Sequence, residues 1–131
     1  MNISKISVLN PKVWGVTVQF KVLDKKEPRN VTFNDAPHVV CEFKVGDDSG
    51  TIDFNVWDEQ VKKFKVGKCY EVTEARLSVF NNSLKLNLSR KSEIKSLNSE
   101  IKVNLSNSMS EKFVEEPRQF KYKSLKQYNK F

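Results

Sequence analysis

The chain is poor in the residues that build most metal and catalytic centres. Cys41, Cys69 and His38 are the only cysteines and histidine among its 131 residues, whereas a tetrahedral zinc site draws four ligands from closely spaced pairs. No structural metal and no cofactor are expected. Glycine and proline number four each, and neither a glycine-rich phosphate loop nor a nucleophile elbow occurs. His38 has no nucleophile or acid at a motif spacing. The chain therefore reads as a non-enzyme. The roughly 18 consecutive apolar residues of a membrane span are also missing. Met1 to Trp14 is broken by Lys5, Pro11 and Lys12 and lacks the apolar stretch of a secretion signal. The expectation is a soluble intracellular protein in reducing surroundings, with Cys41 serving as a small buried hydrophobe.

Positive charge is plentiful. Lys and Arg total 23 against 16 Asp and Glu, a net +7, which favours polyanionic partners without specifying a fold. The length suits one domain with a tail.

Five alternating runs fill the first ninety or so residues, each bounded by turn chemistry. Val16, Val18, Phe20 and Val22 point inward in the first. Asp24 to His38 reads as a polar, mobile connection. Its Lys25, Lys26 and Arg29 are nearly cancelled by Asp24, Glu27 and Asp35. The second run, Val39 to Val45, sends Cys41, Phe43 and Val45 inward and Val40, Glu42 and Lys44 outward. Gly46 to Gly50 is a hairpin signature, with Asp47 and Asp48 favoured there for backbone reasons. The third run buries Ile52, Phe54 and Val56 and shows Thr51, Asp53, Asn55 and Trp57. Asp58 to Lys65 starts with a capping carboxylate and spaces Val61 and Phe64 for one or two helical turns. The fourth run, from Cys69 to Phe80, slips its alternation near Glu74-Ala75, where a bulge is expected. Asn81-Asn82 turns the chain into the fifth, which sends Leu84, Leu86 and Leu88 inward and Ser83, Lys85 and Asn87 outward.

Three strands, a short helix and two strands is the element order of the OB-fold, a five-stranded Greek-key barrel. The expected fold class is therefore all-β, with a C-terminal extension; an up-and-down meander remains the alternative pairing. Residues 1–95 are assigned to the barrel and 96–131 to a basic, aromatic-containing tail. Within the latter region Ile94, Leu97, Ile101 and Leu105 fall at helical intervals. A helix over 94–105 competes with a strand reading of Ile101, Val103 and Leu105. From Arg118 to Phe131 the tail has no acid and interleaves lysines with Phe120, Tyr122, Tyr128 and Phe131, a composition that suits disorder in isolation.

Trp57 is the functional lead. An indole at the end of a row of hydrogen-bonding side chains faces water, and a nucleobase is a common flat partner in a basic protein. Phe80 offers a second ring at a hairpin tip. Lys44, Arg76 and Lys85 are expected to line a phosphate groove, and Asn55, Ser78 and Asn87 to meet base edges without strong sequence preference. Trp14 reads as core or barrel plug, and His38 as structural.

The stretch Val45-Gly46-Asp47-Asp48-Ser49-Gly50 through Val56-Trp57-Asp58, with Leu77 to Phe80 and Leu84 to Leu86, resembles the simple single-OB single-stranded-DNA-binding proteins. These are the archaeal type and the eukaryotic SOSS B subunit, related to the OB domains of replication protein A. The resemblance covers residues 5–95. It implies binding of single-stranded DNA in replication or repair, with Trp57 and Phe80 at stacking positions. Arg76 stands where the family usually has an aromatic, and Asn87 where eukaryotic members tend to have tyrosine. The resemblance implies a nuclear location in a eukaryote and a cytoplasmic one in an archaeon. The alternatives are single-stranded RNA as target, and a structural OB subunit of a larger complex with Trp57 against a protein. The tail is a candidate contact for nucleic acid or for protein partners, and the 94–105 stretch a candidate for self-association.

Overall fold

A computed structural model describes residues 2–114. In β1 (Val16–Lys25) the inward residues Val16, Val18, Phe20 and Val22 are all buried. The same period-two logic buries Cys41, Phe43 and Val45 of β3 (Ala36–Asp47) and Ile52, Phe54 and Val56 of β4 (Gly50–Trp57). Val72, Ala75 and Val79 of β5 (Cys69–Phe80) and Leu84 and Leu86 of β6 (Ser83–Asn87) complete the apolar lining. Phe20, Phe43, Phe54, Phe64 and Tyr70 meet edge-on or tilted at its centre, with Phe54 and Phe64 centroids 5.0 Å apart, geometry that aromatic quadrupoles favour.

These five strands close into a ring in the order β1-β3-β4-β6-β5, with β5 pairing back to β1. Only the β4–β6 pair is parallel; the other pairings are antiparallel. The 3-10 helix Asp58–Lys63 lies between β4 and β5, the third and fourth strands of the ring. Val61 and Phe64 are its inward anchors. The expected OB-type barrel is what forms. The expected bulge also forms: Val16 pairs with Ala75 and Val18 with Val72, so β5 carries one extra residue, and Glu74 takes φ 50°.

Two regions depart from the sequence reading. The supposed mobile loop 24–38 is mostly strand. β1 runs on to Lys25, and β2 (Arg29–Phe33) pairs with the start of β3 as a hairpin arm. Its two turn residues, Asn34 and Asp35, both have positive φ, at 53° and 60°, the backbone of a type I′ turn. Along that arm Val40 faces outward yet is buried, outside the main core cluster, where the arm pairs with it through Arg29.

The second departure lies beyond residue 93. No helix forms over 94–105: β7 (Ile94–Leu97) adds an antiparallel strand to the start of β5. Residues past 97 continue as part of the fold, so the ordered chain does not stop at 95. The Asn104 N–H donates to Asp47 O at 2.9 Å, Thr51 N–H to Asn107 O at 2.8 Å and Met109 N–H to Thr51 O at 2.8 Å. Ser110 sits between the parallel strands, its hydroxyl accepting from Asp53 N–H at 2.8 Å and donating to Leu84 O. Gly50 is required by this crossing, because a Cβ there would lie 2.6 Å from Asn107 O. The basic aromatic tail, Arg118 to Phe131, lies outside the described residues.

Candidate nucleic-acid interface

Strand register assembles the site. Across the outer face Val40 is paired with Trp57, Glu42 with Asn55, and Lys44 with Asp53. Asn55 is then paired with Asn87 and Asp53 with Lys85, and β5 adds Arg76 beside Asn87 and Ser78 beside Lys85. Side chains of paired residues share a face of a sheet. All of the polar and aromatic residues singled out from the sequence therefore belong to one surface, with Phe80 at its β5–β6 end.

Trp57 is 39% exposed and Phe80 61%. The indole is braced rather than loose: Phe33 of the hairpin arm lies 6.1 Å from it and His38 6.0 Å, the latter edge-on. Asp58 holds His38 in turn, its carboxylate accepting from Val39 N–H at 2.9 Å and meeting His38 Nδ1 at 2.8 Å. The Val39 N–H bond and then the His38 bond hold the Asp58 carboxyl below its ordinary pKa. The expected helix-capping role of Asp58 is not taken up; the 3-10 helix has no side-chain cap. Between the arm and the Phe80 hairpin lies a groove of about 390 Å³, floored by Glu42, Asn55 and Lys85 and edged by Arg29 and Phe80.

The floor is electrically self-contained. Lys85 is 9% exposed and its ammonium lies 2.8 Å from Asp53 and 2.9 Å from Glu42, while Lys26 reaches Glu42 from the arm at 2.7 Å. Burial opposes the charge on Glu42, but hydrogen bonds from Lys26 and Lys85 outweigh it and leave its pKa lowered. Burial likewise opposes the charge on Lys85, and Asp53 and Glu42 outweigh that, leaving the ammonium's pKa raised. The expected role of Lys85 as a phosphate ligand is thus not supported by its geometry. Lys44 and Arg76 form no ion pair among the described residues.

A family model described as single-stranded DNA binding protein Ssb-like, OB fold, matches residues 8–96. The chain belongs to that family. The single-stranded DNA binding protein Ssb of Saccharolobus solfataricus is 26% identical over 90 residues, 69% of this chain. The chain spans 61% of the length of that curated relative. A hypothetical protein of Arabidopsis thaliana has a solution structure similar to this Ssb-like chain at a TM-score of 0.73 and 21% identity, covering 89% of this chain and 88% of that one. DNA binding domain A of S. cerevisiae replication protein A is similar at a TM-score of 0.61 and 23% identity, covering 76% and 97%. Both likenesses are of fold.

Within this Ssb-like frame the remaining sequence-predicted residues divide. Asn87 Nδ2 donates to Ser78 Oγ at 2.8 Å, so those two are coupled to each other. Asn55 is half-buried, and its Oδ1 is buried with no hydrogen-bond partner among the described residues. Thr51, expected outward in the same row, is covered by the 107–110 crossing. Trp14, read as a plug, is instead 77% exposed, with the Arg76 guanidinium carbon 5.9 Å from its ring centroid. Sequence reading missed Phe33 and undervalued Arg29 and Lys26. Their signal was the Asn34-Asp35 pair, which marks the hairpin that brings them to the face.

Proposed function

We propose that the chain binds single-stranded DNA across this sheet face, with bases stacked on Trp57 and Phe80 and the backbone following Arg29, Lys44 and Arg76. The observation that carries the reading is Trp57: a half-exposed indole flanked by Phe33 and His38, on the same sheet face as the groove that the exposed Phe80 edges. Family membership and the named Ssb relative support it. The neutralised floor leaves stacking and rim cations as the source of affinity, and both tolerate any sequence. Protection of single strands during replication or repair is the setting this activity suits. No helix among the described residues is long and apolar enough to cross a membrane.

Affinity for a thymidine oligomer should fall with salt at a log-log slope of about −0.7 for each phosphate neutralised. A slope near zero contradicts the groove. Competition by a uridine oligomer of equal length separates DNA from RNA: the reading requires the DNA to win. A protein that binds neither is better explained as a structural subunit.

A further inference from the structure

The outer face reaches β5 at Arg76, a position where the resemblance implies an aromatic. The missing ring has a counterpart close by. Trp14 precedes β1, and Gly15 at φ +57° bends the backbone so that Val16 enters the core while Trp14 stays outside it. The core is complete without the indole, since Val13 and Val16 pack inward on either side of it. Trp14 therefore stands in water beside the Arg76 guanidinium, in a cation–π contact. Its surroundings are cationic: the hollow beside it is lined by Arg76, Arg90 and Lys91 against the lone carboxylate of Glu74. The Ser89 and Ser92 hydroxyls both donate to Glu74 O, at 2.7 and 3.0 Å, and so hold the turn carrying Arg90 and Lys91 against the β5 bulge.

We propose that Trp14 and Arg76 form a second base platform, separate from Trp57, over which the same nucleic-acid strand continues. A base lies on the open side of the indole, and Arg76, Arg90 and Lys91 meet the flanking phosphates. The platform replaces, from outside the sheet, the aromatic that the strand lacks. Arg76 lies two strands across from Asn55, which is two residues before Trp57, and a strand spacing of about 4.8 Å with a rise of about 3.3 Å per residue puts the two positions roughly 12 Å apart. The two indoles therefore serve different nucleotides. The proposal rests on the sheet face being a single-strand site.

Two single-tryptophan proteins test it. Trp57→Phe leaves Trp14 as the only indole and Trp14→Phe leaves Trp57. Each is titrated with a thymidine oligomer of about 16 nucleotides, the upper range for one OB fold. Both indoles should be quenched, Trp14→Ala should weaken binding by about 5-fold or more, and Arg76→Lys, which keeps the charge but not the plane, should reduce the Trp14 quench. Quenching of Trp57 with a silent Trp14, or full affinity in Trp14→Ala, overturns the second platform and leaves the first. Silence of both indoles overturns the underlying site instead.

Discussion

The Lys85 ammonium lies 2.8 Å from the Asp53 carboxylate, across the one parallel strand pair of the barrel. With Glu42 completing the cluster, this lysine holds two carboxylates together under the groove instead of offering its charge to a ligand. Lys85→Met should cost stability, on the order of 3 kcal/mol, because it leaves Asp53 without its ion-pair partner and Glu42 with Lys26 alone on a half-covered face. The salt slope of oligomer binding should be nearly unchanged. Arg76→Ala should do the reverse, leaving thermal stability intact and lowering the slope by about 0.7. Thermal melts and binding titrations at several salt concentrations read both.

Acid should loosen the protein through its lowered carboxyls, Glu42 and Asp58 among them. The Lys26 and Lys85 bonds leave Glu42 below its ordinary 4.5 despite its burial, and Val39 N–H and His38 hold Asp58 below 3.8. A carboxyl whose pKa falls on folding contributes fully above its unfolded value, and the contribution disappears as pH falls through the folded one. Melting temperature should therefore be flat above about pH 5 from these groups and drop below pH 4.5. Glu42→Gln should flatten that drop.

Ser110 joins β4 to β6 through Asp53 N–H and Leu84 O. Ser110→Ala leaves two buried backbone groups unpaired and should cost about 1–3 kcal/mol. A chain ending at residue 95 should be less stable still, because it also loses the bonds to Asp47 and Thr51. Chemical denaturation of the two variants and the parent chain decides this.

The barrel was legible wherever one face of a strand is apolar. Val16 to Val22, Ile52 to Val56 and Leu84 to Leu86 alternate cleanly, and the slip at Glu74-Ala75 marked its bulge. The arm was not legible by periodicity, since Arg29 to Phe33 is mostly exposed and no burial enforces alternation. Only the Asn34-Asp35 turn announced it. Ile94 to Leu97 fits either period, and the unpaired margin of β5 settles it as strand. For the candidate site, the sequence supplied which side chains point outward but not which strand lies beside which. Lys85 therefore read as a free cation, although the β4–β6 register places Asp53 next to it. Trp14 read as core because large aromatics usually are, and the turn at Gly15 sends it outward.

Phe33 braces Trp57 from the hairpin arm at 6.1 Å while remaining 58% exposed itself. Phe33→Ala should leave the melting temperature unchanged and weaken oligomer binding less than loss of Trp57 does, because it removes the brace and not the platform. Equal losses for the two variants would make Phe33 a platform in its own right.

The affinity of Trp57→Ala for a thymidine oligomer tests the central claim most directly. The ring is half-exposed, so the variant should fold as the parent does. Losing one stacked base should weaken binding by about 5- to 150-fold, the equivalent of roughly 1–3 kcal/mol. An undiminished affinity in a correctly folded Trp57→Ala protein would mean that unpaired bases do not rest on this indole.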